Sequence, residues 1–311
     1  MATTTNVTTT YAGVKAMPYI QAALLEPTTI RNGGLTVKPN IKFRQVLKKV
    51  AMSDLIKDGT CDFTPTATID LTENTLEPKT FQVNYTLCKT DFRDDWDAMS
   101  MGLSAHDNLP PDLASFIIAK TASEVATANE SILWNGADAN EGEYDGFIAL
   151  FTADATVVDV AGTAGVLAAA AATIQTEMRN VIAAIPQAIY GKEDLKLYVS
   201  SDVWRAYVSS LALAGNGNGY NQQGSNQGFA SLQFEGVDLF MAAGLPAFTM
   251  VAAQSSNLYF GTGLMSDQNE VKVLDMADLD GSQNVRFVMR YTAAVGYAYG
   301  AEIVLYTKAS A

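Results

Sequence analysis

Residues Pro110 to Gly136, PPDLASFIIAKTASEVATANESILWNG, read as one long amphipathic helix, and a helix of that length dictates what must surround it. Pro110 and Pro111 suit a helix start, because the first turn has no use for their missing N–H groups. Asp112 adds a carboxylate where the helix dipole favours one. Leu113, Phe116, Ile117, Val125, Ile132 and Leu133 fall on or near one stripe at three- and four-residue steps. Asp112, Lys120, Glu124 and Glu130 lie largely off that stripe, so Glu130 is expected to tolerate truncation. Gly136 supplies a stop signal. At 1.5 Å per residue the helix is about 36 Å long. Its apolar stripe is thin, which predicts a strut lying across a sheet.

The end of the chain offers such a sheet. Val285, Phe287, Met289, Tyr291, Ala293, Val295, Tyr297 and Tyr299 alternate with Arg286, Arg290, Thr292 and Gly296. This is the period of a half-buried strand, with Gly296 and Gly300 suggesting a bend or bulge. EIVLY, Glu302 to Tyr306, closes the segment. Helix 110–136 is expected to cover the sheet containing 285–306.

A second alternating region runs from Cys61 to Leu87. Cys61, Phe63, Ala67, Ile69 and Leu71 share odd numbering, as do Phe81, Val83, Tyr85 and Leu87. Between them, ENTLEPK, Glu73 to Lys79, reads as a turn. The expectation is a projecting β-hairpin over 61–87, whose edges tolerate Pro65 and Pro78. An isolated hairpin is marginal in water, so it should lean on another domain or subunit. In that register Cys61 and Cys88 fall on opposite faces and stay reduced.

Residues 1–40 read as an arm. Thr repeats, Pro18, Pro27, Gly33, Gly34 and Pro39 interrupt any long element, and Tyr19 to Leu25 could form a short helix. Tyr11, Met17, Tyr19, Ile20, Leu24 and Leu25 are too apolar for a free tail, so the arm should dock. From Phe151 the pattern is mixed. A helix is expected within Val166–Ile185, ended by Pro186. KLYVS, Lys196 to Ser200, is a strand, and Asp202 caps the helix VWRAYVSSLAL. The uncharged stretch Ala214 to Gly228 reads as a loop. Its GNGNG follows a helix with the wrong glycine spacing for a dinucleotide fingerprint. Short strands follow at 234–241, 249–253, 258–260 and 271–274.

Composition excludes several functions. The 311 residues carry a formal charge of −13, which disfavours nucleic-acid recognition as the main role. The length suits about two domains, and 48% hydrophobic residues can fill their cores. Two cysteines exclude a disulfide-rich scaffold. The N-terminus lacks the basic and apolar regions of a secretory signal, and no apolar run reaches the ~18–20 residues of a membrane span. The lone histidine, His106, lies in SAHDNLPP, and no serine sits in GxSxG. Asp91, Asp94, Asp95 and Asp97 form an acidic cluster without His or Cys, read as a solvated face. Asp138 to Gly146, DANEGEYDG, has Glu143 and Ala149 where a calcium loop needs Gly and Glu. No catalytic, cofactor-binding or metal-binding residue is assigned, and no cofactor is expected.

An arm, a long hairpin, a long helix, an α/β unit and a closing β segment, in that order, resemble a tailed-bacteriophage major capsid protein of the HK97-like fold family. NLYFGTGLMSD (257–267) looks like that family's axial strand-turn. LYVSSDVWRAYV (197–208) looks like its strand-helix unit, and VRFVMRYTAAVGYAYGAEIVLY (285–306) like its closing segment. The resemblance implies an α+β HK97-like capsid fold with N-terminal arm, extended β-hairpin loop, long spine helix, and peripheral and axial domains. The arm would span 1–40 and the extended loop 41–96. The peripheral domain would take 97–150, with spine helix 110–136, and 285–311. The axial domain would take 151–284. The implied function is a structural, non-enzymatic protein that self-assembles into an icosahedral head around double-stranded DNA. Its partners would be itself, in hexameric and pentameric capsomers, and scaffolding, portal and decoration proteins. The DNA would be enclosed without sequence-specific binding, and no membrane is involved. The protein would reside in the virion, and in host cytoplasm before assembly. The charged, helical scaffolding segment that begins some members is absent here, so it has been removed or scaffolding comes from elsewhere. A cellular encapsulin-type nanocompartment shell is the alternative of the same fold. A carboxylate-dependent hydrolase with an α/β domain is the alternative of another class.

Overall fold

The computed structural model describes residues 9–12, 27–41, 43–53, 55–59, 61, 65, 68–88, 111–162, 171–213, 232–263 and 270–307. The described residues form two six-stranded sheets and a two-stranded ribbon.

The first sheet is built on the long strand β13 (Asn284–Tyr297). β5 (Lys79–Cys88) runs antiparallel along one side. Along the other side lie β12 (Glu270–Asp275), opposite residues 285–290, and β11 (Leu258–Thr262), opposite 293–297. Outside these, β1 (Thr9–Ala12) pairs antiparallel with β12, and β2 (Thr36–Pro39) pairs parallel with β11. The alternation expected from sequence holds at the start of β13. Val285, Phe287 and Met289 are buried while Arg286 and Arg290 are exposed. From Tyr291 to Tyr297 both faces are buried, because a second element covers that end.

Helix α2 (Pro111–Asn135, with α1 the single turn Thr28–Arg31) covers the other face, as the sequence requires. Ile118, Ala122, Val125, Leu133 and Trp134 share one core with Val285, Phe287, Met289, Tyr291 and Ala293. Tyr85 stacks on Phe287 at 4.8 Å between ring centroids, and its hydroxyl lies 2.6 Å from Thr121 Oγ1. The buried stripe is set one position from the expected one, with Ile118 more buried than Ile117. Ala122 and Trp134 complete it. Gly136 ends the helix for a steric reason rather than a conformational one. A Cβ there would collide with the Tyr144 carbonyl, where the chain folds back to place Gly146 N–H on Gly136 O at 2.9 Å.

The second sheet has the order β6 (Val158–Ala161), β14 (Val304–Thr307), β10 (Met250–Gln254), β7 (Leu195–Val199), β9 (Val237–Met241), β8 (Gln233–Phe234). Helices α4 (Ala171–Ala184) and α5 (Ser201–Leu213) pack on one face through Ile174, Met178, Val181, Val203 and Trp204. On the other face Tyr198, Val251, Ala253 and Leu305 join the core under α2 and the short helix α3 (Phe147–Ala153). A sheet buried on both faces needs continuous apolar strands, which accounts for MVAAQ at β10. Helix α5 begins at Ser201, so Asp202 sits in its first turn rather than at the cap.

The expected 61–87 hairpin is not formed. β4 (Thr68–Leu76) pairs with β3 (Gln45–Ser53), while β5 pairs with β13. Most of ENTLEPK lies within strands, leaving Glu77-Pro78 as the link. Alternation fixes which face of a strand is apolar, but not which strand it pairs with. Phe81, Val83 and Tyr85 complete the core under α2, whereas β3, with Lys48-Lys49 at its centre, hides its strand character. Cys61 and Cys88 are not bridged to each other, but not through the register inferred from sequence, because Cys61 lies outside the strands and Cys88 ends β5, which pairs with β13. The 285–306 segment also divides: β13 belongs to the first sheet and β14 to the second.

Candidate assembly surfaces

One face of the β3–β4 ribbon is left uncovered among the described residues. Its nine-residue strands are about 30 Å long. Residues directly opposite in an antiparallel pair share a face, and the register places Val50 against Leu71 and Met52 against Ile69. All four are solvent-exposed, at 44, 69, 54 and 58%. Phe43, Leu55 and Ile56 add further exposed apolar surface. An exposed apolar ribbon of this kind marks an interaction site.

At its base the ribbon is clamped to the body by its other face. Leu47 and Leu76 are buried with Ile41 and Ala294. A Cβ on Gly261 would stand 2.8 Å from Leu76 Cδ2, and one on Gly296 would stand 3.1 Å from Leu76 Cδ1. Only residues this small leave a socket for Leu76, and this clamp is what covers the second face of β13.

The second built feature is a strap, residues 27–39, drawn from the end of the expected arm. Thr29 N–H donates to Glu130 Oε2 at 3.0 Å, and Thr29 Oγ1 donates to Glu130 Oε1 at 2.5 Å. Trp134 Nε1 donates to Thr29 Oγ1 at 3.0 Å. Further along, the Tyr198 hydroxyl donates to Gly34 O, and Lys196 Nζ donates to Gly33 O at 2.7 Å. Burial depresses the Lys196 ammonium below its ordinary pKa. Glu130 is therefore buried, contrary to the sequence expectation. The helix period places it beside the apolar stripe, and a distant backbone amide supplies the partner that burial demands. No short-range signal announces that partner.

Among the described residues no three His, Cys, Asp or Glu side chains are placed to hold a metal ion. A cleft of about 500 Å³ beside the ribbon base contains Glu73, Asn74, Asp154 and Tyr297. Asp154 is engaged there, accepting from the Tyr297 hydroxyl at 2.8 Å and from Thr156 N–H at 2.9 Å. Burial and the Asp154 carboxylate push the Tyr297 phenol up, away from any role as a base near neutrality. In the 138–146 loop, Glu143 Oε2 accepts from Ala137 N–H and Asn140 Nδ2, each at 3.0 Å, so the carboxylate braces the turn. His106, the cluster Asp91–Asp97, the expected Tyr19–Leu25 helix and the 214–228 loop lie outside the described residues. Among the described residues, no helix is long and apolar enough to cross a membrane.

No protein-family model and no curated protein matches the sequence. Solved structures do match the fold, among them phage and particle capsids. The chain is similar to the capsid of an empty GTA particle, with TM-score 0.56 and 16% identity over 91% of this chain and 90% of that one. It is similar to the satellite phage P4 procapsid that includes the size determination (Sid) protein, with TM-score 0.57 and 12% identity over 93% and 96%. It is also similar to the capsid of Myoviridae phage XM1, with TM-score 0.58 and 10% identity over 90% and 92%. The mixed helix and sheet architecture is thus that of phage capsid subunits, the HK97-like fold.

Proposed function

We propose that this chain is a major capsid protein that self-assembles into an icosahedral head enclosing double-stranded DNA. The observation that carries this reading is the β3–β4 ribbon, whose apolar face is exposed among the described residues and is suited to cover by another molecule. The capsid fold of the body supports it. The role is structural rather than enzymatic. Copies of the chain meet in hexameric and pentameric capsomers, and many modest contacts add through multivalency. Scaffolding, portal and decoration proteins are further partners. The DNA is held without sequence-specific contacts, in keeping with the net charge of −13. The protein acts in the virion after assembly in host cytoplasm.

Residues 1–40 act as the arm, 41–96 as the extended loop containing the ribbon, and helix 110–136 as the spine. The first sheet and spine form the peripheral unit, and the second sheet forms the axial unit. On strand pairing, 258–275 then goes with the former and 304–307 with the latter.

Electron microscopy of the purified protein is the direct test, with hollow shells as the expected outcome. Protein that stays monomeric at every concentration and salt would overturn the reading. A variant with Ile69→Ser and Leu71→Ser should melt like the wild type yet give few particles, because both side chains are exposed in the monomer.

A further inference from the structure

Charge is segregated along and across the ribbon. Residues 38–57, which contain β3, hold Lys38, Lys42, Arg44, Lys48, Lys49 and Lys57 against a single acid, Asp54, a net of five positive charges. The remainder of the chain carries eighteen net negative charges, since the whole is −13. The next twenty residues, 58–77, contain β4 and hold five acids and no base. One strand of the ribbon is therefore basic and its neighbour, about 4.8 Å away, is acidic. Lys48 and Glu73 stand opposite each other on the same exposed face as the Val50–Leu71 and Met52–Ile69 pairs. Lys38 is already engaged, with its ammonium 4.3 Å from the Tyr259 ring centroid.

We propose that the basic strand β3 docks on the acidic surface of a second copy of this chain, so that charge orients the ribbon before its apolar face is buried. This rests on the shell reading and deepens it, by identifying the chemistry that selects the docking surface. A second copy is favoured over nucleic acid on two counts. Asp70 and Glu73 on β4 stand opposite the basic strand and would repel a phosphate backbone. The four exposed apolar side chains need an apolar counterpart, which a phosphate backbone lacks. A second copy offers both: a net of eighteen negative charges outside 38–57 and the same exposed apolar side chains on its own ribbon. Contacts of this kind govern association rate and partner choice, and they weaken with ionic strength.

The test is assembly kinetics, followed by light scattering and electron microscopy, for the wild type and for the double variant Lys48→Glu, Lys49→Glu. The wild-type assembly rate should fall by about tenfold or more between low and high salt. The variant should melt like the wild type and remain unassembled at concentrations where the wild type forms shells. A salt-insensitive wild-type rate would overturn the proposal without reference to any variant. Variant shells formed at the wild-type rate, with unchanged salt dependence, would overturn this contact and leave the shell reading standing. Normal variant assembly with lost retention of a short DNA duplex would assign the strand to nucleic acid and also overturn it. Wild-type protein forming no particles at any salt would overturn the shell reading itself, and this contact with it.

Discussion

Leu76 sits in the space that a side chain at Gly296 would need: a Cβ built on Gly296 lies 3.1 Å from Leu76 Cδ1. The same leucine fills the space over Gly261, where the gap to Cδ2 is 2.8 Å. These two glycines and one leucine decide where the ribbon leaves the body, and the pair can be tested as a unit. Leu76→Ala should destabilise the subunit by about 2–5 kcal/mol, the cost of a buried leucine and its cavity. Gly261→Ala should cost about 1–3 kcal/mol by overpacking. Combined, they should cost less than their sum, since each relieves the other's fault, with a coupling of about 0.5–3 kcal/mol. Denaturant melts of the four proteins in the cycle measure this, and strict additivity would mean that Leu76 does not occupy the socket.

Glu130 and Ser123 both lie on α2 and both look polar from the sequence, but they should respond differently. Glu130→Ala strands the buried Thr29 N–H and should cost about 1–3 kcal/mol. Ser123 is exposed, and Ser123→Ala should stay within about 0.5 kcal/mol. Thermal melts of the unassembled subunit decide. Equal melting of the two variants would mean that the strap is not held by this carboxylate.

The depth of the helix stripe gives a third test. Ile118 is buried and Ile117 is half-buried, so Ile118→Ala should cost about 2–5 kcal/mol and Ile117→Ala clearly less. A reversed order in denaturant melts would place the stripe one residue earlier, where the sequence alone had put it.

The 138–146 loop should leave a mark on acid stability. The Ala137 N–H and the Asn140 amide hold the Glu143 carboxyl below the ordinary glutamate value of 4.5. Because the folded pKa is lowered, the contribution is present above pH 4.5 and is lost as pH falls through the folded value. The wild type should melt above Glu143→Gln at pH 6, and the difference should shrink toward zero below the lowered pKa. A difference that persists unchanged at pH 2.5 would show that the two amide contacts do not depend on the charge.

Much of the architecture could be read from periodicity. The 3.6-residue pattern located helix 110–136, and the two-residue pattern located β13 and β5, because each repeat follows from local geometry. The order of such parts carried the resemblance to capsid subunits. Periodicity could not choose β3 as the partner of β4, since pairing is settled by which strand fills the core under α2, and that core holds Phe81, Val83 and Tyr85 of β5. Nor could it find the candidate surface whole. Exposed Ile69 and Leu71 have the same pattern as buried Val285 and Phe287, and only the position of each strand in the fold separates them. Glu130 counted as a surface charge until a backbone amide 101 residues away satisfied it. Gly261 and Gly296 gained a meaning only from the leucine that fills them. Sequence by itself determined the elements and their faces, because these depend on neighbours along the chain. Tertiary structure alone decided strand pairing, the burial of Glu130 and the exit of the ribbon, because each depends on contacts between residues far apart in the chain.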